Sequence, residues 1–312
     1  MKVAIRSSIK HKWTTLKLRY KVARTVGFKE FLSLKKISFC SFPDTPKTHR
    51  FPLLENGYAL EKILHICNIK VMSFSPWKQY DYILNWQDST TDFVDTRKYI
   101  LHAYSHSGRS LISTTFINAE ANDITKKKMA ELNKEVFGYD LDIDPTVYEG
   151  KVVKKSDFNG LHDGEIIDCP IDVNQVKSDF VYNVCINNID NQNQATDFRV
   201  IFMNDVLDFF YEKKRPIQSR FDTHKSTTTV RNISDEFTRD EIDKIRLFCK
   251  RLGANHGEMD ILRDRDSNKI FIVDFAKTPF GPLHGFNNFQ RNIAIEKLAV
   301  NFINKIIIKK IS

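Results

Sequence analysis

The chain has 312 residues, 48 Lys+Arg against 39 Asp+Glu, and a formal net charge of +9. Its length fits one large domain or two average ones, and an apolar fraction of 41% with 24 Phe argues against a disordered protein. No run approaches the roughly 20 apolar residues of a membrane span, no apolar segment of a secretory signal is visible, and five scattered Cys without C-x-x-C spacing argue against a disulfide framework or zinc ribbon and fit a reducing cytosol.

The charge is concentrated at one end. Residues 1–36 hold eleven Lys/Arg and one acid, Glu30, a net of +10, which leaves −1 for the rest. Within this segment (1–39) Ile5, Ile9, Trp13, Leu16 and Tyr20 recur at helical spacing, and Gly27 is a stop signal. A basic amphipathic helix suits an anionic membrane surface. A helix docked on its own domain shows the same periodicity.

Residues 40–50, with Pro43 and Pro46, read as a linker. Over 50–120 the pattern is α/β: a helix at 56–67, strands at 69–74 and 80–86. The spacing predicts a further helix at 124–137, capped by Asp123 or Thr125 and ended by Gly138. Strands follow at 151–154, 164–168, 180–186 and 198–203, with a turn-rich 156–163 between the first two. A helix at 235–252 precedes a strand hairpin, 258–263 with 270–275, and residues 289–312 form a closing helical segment.

Several residues carry chemistry. Lys154 ends a Val-Val strand before a loop in which Gly160 and Gly164 let backbone N–H groups approach phosphate, with His162 beside them. The apolar strand through Val184 and Ile186 leads to Asp190. Arg199 begins another apolar strand, where a charge needs a partner such as phosphate, and Arg220 follows in a loop. Asp260 and Asp274 sit beside apolar residues on the two hairpin strands. Paired carboxylates in such a place repel unless a cation lies between them, and hard oxygen ligands suit Mg²⁺. Strand-end capping is the plain alternative.

In this order the segments resemble the ATP-grasp superfamily over residues 120–285, and 50–120 is similar to the α/β domain that precedes the grasp there. The stretches Val-Phe-Gly-Tyr, Asn-Gly-Leu-His-Asp-Gly and Asp-Phe-Ala-Lys-Thr-Pro-Phe-Gly-Pro look like a bacterial branch apart from the well-known ligases. The resemblance implies an α+β fold, two α+β subdomains gripping a nucleotide (121–288), preceded by the small α/β domain. It implies ATP and Mg²⁺ as cofactors. Nucleotide contacts would fall on one lysine of 126–128, with Lys128 the candidate, and on Lys154, Gly160, His162, Gly164, Val184, Ile186 and Asp190. Asp260 and Asp274 would hold metal, and Arg199 and Arg220 the transferring group and the acceptor.

The implied activity is a ligase that activates a small-molecule or glycan carboxylate as an acylphosphate for attack by an amine or similar nucleophile, in the setting of cell-surface polysaccharide modification. A kinase and a non-catalytic nucleotide binder are the alternatives. The second is motivated by Ala276, which stands where the family pattern has Asn. The expected location is the cytoplasm, with residues 1–36 offering peripheral contact to the inner membrane surface. A near-neutral body argues against a nucleic-acid partner.

Overall fold

The computed structural model of the chain describes residues 2–44, 57–108, 110–161, 163–220, 226–282 and 285–308, with side chains from Lys12 onward. The N-terminal segment folds as helices α1 (Lys2–Val26) and α2 (Phe28–Ser33), parted at Gly27 with φ 102°, a conformation that side chains resist. Strand β1 (Phe39–Pro43), helix α3 (Ala59–Cys67), strands β2 (Val71–Ser73) and β3 (Tyr82–Trp86), helix α4 (Thr96–Ser107) and strand β4 (Thr115–Ile117) build the first sheet. Its four strands are parallel, in the order β2-β1-β3-β4. Parallel neighbours require crossovers, which the intervening segments supply.

Two readings are corrected here. The stretch 40–50 is not a linker at its start, because Phe39, Cys40 and Ser41 are buried in a central strand. Pro43 is tolerated as that strand's last residue. Helix α4 is an addition to the sequence reading, although its signals are present: Asp95 accepts from the Lys98 N–H at 2.9 Å, and Gly108 ends the helix with φ 68°.

Helix α5 (Lys126–Phe137) is capped by Thr125, which accepts from the Lys128 N–H at 3.1 Å, and is stopped by Gly138. Strands β5 (Gly150–Ser156), β6 (Glu165–Cys169) and β7 (Phe180–Val184) form an antiparallel sheet in the order β6-β5-β7. Strands β8 (Gln194–Met203), β9 (Val206–Pro216) and β10 (Thr227–Asn232), helix α6 (Arg239–Leu252), and strands β11 (His256–Arg263) and β12 (Ile270–Ala276) build the third sheet. It is antiparallel, ordered β10-β9-β8-β11-β12. Strands β9 and β10 are absent from the sequence reading. Asn204 at φ 54°, with Asp205, makes the tight turn that pairs β9 with β8. Helix α7 (Asn288–Phe302) runs on into a wider turn at Ile303–Ile307.

One face of the five-stranded sheet packs on α5 and α6 through Phe198, Val200, Met259, Ile261 and Phe248. Part of the other face, including Ile201, Met203 and Phe209, joins α3 and α7 through Leu60, Ile63 and Phe302. The rest of that face is polar and is overhung by the β6-β5-β7 sheet, so one strand surface begins as a cleft wall and ends as core. Among the described residues no helix is long and apolar enough to cross a membrane.

Candidate active site

Strand alternation creates the site. On β8, Phe198 and Val200 enter the core while Asp197 and Arg199 face the cleft. Asp260 lies directly opposite Arg199 on one side and Asp274 on the other, so three strands set one row of charge. Strand β9 adds Lys213 and Arg215, and the overhanging sheet adds Val153, Lys155, Asn183 and Val184. The cleft measures about 220 Å³. Six basic side chains (Lys126, Lys155, Arg199, Lys213, Arg215, Arg220) line it against four acids (Asp163, Asp197, Asp260, Asp274), a balance that suits a polyanion.

Arg199 grips Asp260 with both ends of its fork: Nε donates to Oδ1 and Nη2 to Oδ2, each at 2.8 Å. Burial alone would raise the Asp260 carboxyl, but Arg199 and Lys213 outweigh it and hold the group well below the usual carboxylate range. Asp274 is different. Burial and then the neighbouring Asp260 push it up, against the pull of Lys126 and Lys155. Burial also pushes the Lys155 amine down to about 8. Among the described residues Lys155 makes only a long contact, 3.4 Å to the Val273 carbonyl, and neither it nor Lys213 has an ion pair. Arg215 pairs with Asp197, and Asn188 donates to that carboxylate at 3.1 Å.

The structure brings together Gly160, Gly164, Val184, Ile186, Arg199, Arg220, Asp260 and Asp274 around this one cleft. Arg220 lines it beside Ile186 and Asn188, where it donates to the Ile186 carbonyl at 3.2 Å and to Asn188 Oδ1 at 2.8 Å. His162 lies outside the described residues.

Three residues are corrected. Lys154 points to the opposite face of β5, where it pairs with Glu165 at 2.6 Å and lies over the Phe180 ring; its neighbour Lys155 faces the cleft. Lys128 pairs outward with Glu131 at 3.1 Å. The cleft lysine is instead Lys126, which ties down the glycine loop by donating to the Phe158 carbonyl at 2.7 Å and to Asn159 Oδ1 at 3.1 Å. Asp190 does not line the cleft. It closes its own turn, accepting from the N–H groups of Gln192 and Gln194 at 2.9 and 3.0 Å and from Lys214 at 3.0 Å.

Among the described residues there is no cluster of three or more His, Cys, Asp or Glu side chains able to hold a metal by themselves. The donors present do fit one Mg²⁺ shared with a phosphate ligand, since Mg²⁺ commonly takes one or two carboxylates and completes its shell from phosphates and water. Burial and, after it, the neighbouring Asp260 disfavour the Asp274 charge, and such a cation would relieve the second.

Ala276 supplies no donor. Across from it in register stands Glu258, buried, with Oε2 accepting no hydrogen bond among the described residues and lying 3.7 Å from Arg199 Nη1. Lys277 is turned away into a buried pair with Asp92. Burial pushes Glu258 up to about 7, against the pull of Arg199. A carboxyl raised above its unfolded value of 4.5 contributes stability that is complete below that pH and is lost as pH rises through about 7. Glu258→Gln is therefore expected to match the parent near pH 4.5 and to exceed it by on the order of 2 kcal/mol at pH 8, as read by urea unfolding.

No family model and no curated protein matches the sequence. Among solved structures the chain is similar to the ATP-grasp ligase PsnB complexed with minimal precursor, at TM-score 0.50 and 13% identity over 88% of this chain and 98% of that one. It is similar to the same ligase complexed with a phosphomimetic variant of the minimal precursor, Mg and ADP, at TM-score 0.51 and 13% identity over 86% and 98%. Likeness at this identity shows the fold: the α+β ATP-grasp architecture that the motifs implied is the one observed.

Proposed function

We propose that the chain, built on the ATP-grasp fold, is an ATP- and Mg²⁺-dependent ligase that joins a carboxylate to an amine or similar nucleophile through an acylphosphate. The observation that carries the reading is the row of Asp274, Asp260 and Arg199 on adjacent strands, facing two cleft amines, Lys155 and Lys213, that have no ion pair among the described residues.

A carboxylate oxygen of the substrate attacks the γ-phosphorus, and the bond to the departing ADP oxygen breaks. The nucleophile then attacks the acyl carbon, loses its proton to solvent and displaces phosphate. Such transfer depends on positioning and charge neutralisation. Leu141, Val153, Ile186, Leu262 and Val273 form an apolar slot for the base, Lys155 and Lys213 hold phosphate oxygens, and Arg199 faces the transferring group. Mg²⁺ held by Asp260 and Asp274 would neutralise charge on the phosphates.

The proposed substrate is a small-molecule or glycan carboxylate, as in a polysaccharide precursor. The precursor with which PsnB was solved is the comparison. The five free cysteines support a cytoplasmic setting.

The test is a thermal-shift assay with adenine nucleotides with and without Mg²⁺, followed by ADP release with carboxylates in the presence and absence of amines. No stabilisation by any adenine nucleotide sinks the reading. ADP release with a stable phosphorylated product and no need for an amine makes the protein a kinase. Binding without turnover makes it a nucleotide-binding protein, the outcome to which Ala276 points.

The choice between neighbouring lysines has its own test. Lys155→Ala should weaken ATP binding roughly 10- to 100-fold, the worth of a charged hydrogen bond. Lys154→Ala should change it less than about twofold, since it removes contacts with Glu165 and Phe180 on the face away from the cleft. Isothermal titration of the two variants decides, and the reverse order would place the nucleotide on the other face of β5.

A further inference from the structure

Helix α1 carries two apolar faces, and among the described residues only one of them is buried. Leu18, Val22 and Ala23 are buried in the core beside Phe31 and Leu34. The stripe that gives the sequence its periodicity is a different one: Trp13, Leu16 and Tyr20 are 62, 57 and 57% exposed. At 100° per residue these three lie roughly half a turn from Leu18 and Val22, whereas Ala23, beyond Tyr20, falls on their own side of the helix. Ile5 and Ile9 continue the stripe in sequence, but their side chains lie outside the described residues. The exposed face extends onto α2 through Phe28, whose ring lies 5.9 Å from that of Tyr20, and through Leu32, 53 and 59% exposed. Docking on its own domain therefore does not explain this stripe.

Charge says what would cover it. Residues 12–36 hold eight Lys/Arg and one acid. Lys12, Lys17 and Arg24 are exposed around the stripe. Pairing of two copies through this face would bring two strongly basic surfaces together. Nucleic acid would answer the charge but leave Leu16 and Leu32 against phosphate. A bilayer rich in anionic phospholipid answers both features, with indole and phenol at headgroup depth, leucine beneath them, and lysine and arginine against the headgroups. We infer that the outer face of α1 and α2 is a membrane-surface docking site that lays the protein on anionic phospholipid. The inference does not depend on the catalytic reading.

The experiment is co-sedimentation of the full chain with phosphatidylcholine vesicles, with and without phosphatidylglycerol, at low and high salt. Three proteins are compared: the parent, Trp13→Ser/Leu16→Ser/Tyr20→Ser, and Lys12→Gln/Lys17→Gln/Arg24→Gln. All of these side chains are exposed, so the variants should keep the parent's thermal unfolding midpoint, which is checked first. The expected result is at least about tenfold tighter binding of the parent to the anionic vesicles, weakened by salt, and about a tenfold loss in each variant. A blue shift of tryptophan emission on binding should vanish in Trp13→Phe. Equal sedimentation of parent and variants overturns the inference. So does a concentration-dependent dimer that the serine variant abolishes, which would give the face to a second copy, or salt-sensitive nucleic-acid binding without vesicle binding.

Discussion

Replacing Arg199 by methionine is expected to lower the unfolding free energy by about 3–5 kcal/mol at pH 7, the cost of leaving a buried partner unpaired. The site gives this loss an identifiable origin. Asp260 keeps a bidentate partner at 2.8 Å, and Glu258 lies at 3.7 Å from the same guanidinium. Methionine fills the space without supplying charge. The pH dependence follows from Asp260. Its folded carboxyl is depressed by Arg199 once burial is overcome, so its contribution is present above the unfolded value of 3.8 and is lost as pH falls through the folded value. The deficit of Arg199→Met should therefore hold from neutral pH down to about the unfolded value of 3.8 and shrink only below it. Arg199→Lys should recover only part of the loss, because an ammonium lacks the planar fork. Adding Asp260→Asn to Arg199→Met should return much of it, and urea unfolding of the four proteins in a double-mutant cycle measures the coupling. An additive cycle would mean that the pair does not stabilise the fold.

The same pair shows how far the sequence could be read. The order of lysine, glycine loop, apolar strand, arginine and two aspartates was legible because each interrupts an apolar run. Which of two adjacent lysines faces the ligand was not. On β5 both Val152 and Val153 are buried, so alternation gives no face, and the one-residue step from Lys154 to Lys155 reverses the side. The lysine at α5 was better specified than it looked: Lys126 is three and four residues before buried Met129 and Ala130 and shares their face, whereas Lys128 does not. Lys213 and Arg215 sit in a Glu-Lys-Lys-Arg run that reads as solvated surface, and only pairing of β9 with β8 turns alternate members inward. The stripe on α1 marks the opposite limit, since periodicity reveals an apolar face without saying what it meets.

Asp274→Asn should move stability and turnover in opposite directions. In the protein without ligands, Asp274 lies half-buried directly across the strand pair from Asp260, and loss of solvent and that neighbour both disfavour its charge. Asparagine removes the charge, keeps an oxygen for the 3.1 Å hydrogen bond from the Phe275 N–H, and is nearly isosteric. The unfolding midpoint at pH 7 should rise, by about 2 °C for a relief of ~1 kcal/mol in a protein of this size. With ATP, Mg²⁺ and a competent carboxylate and nucleophile, turnover should fall about 10³-fold, because the residue that would hold the cation against the phosphates has lost its charge. Stabilisation of the fold by ATP should also lose most of its dependence on Mg²⁺. A strand-end cap would behave otherwise: its replacement would lower the midpoint and leave Mg²⁺ dependence unchanged. A cation that arrives with its ligand would account for two carboxylates kept together at a cost to the fold, and the divergence of the two measurements separates that role from a structural one.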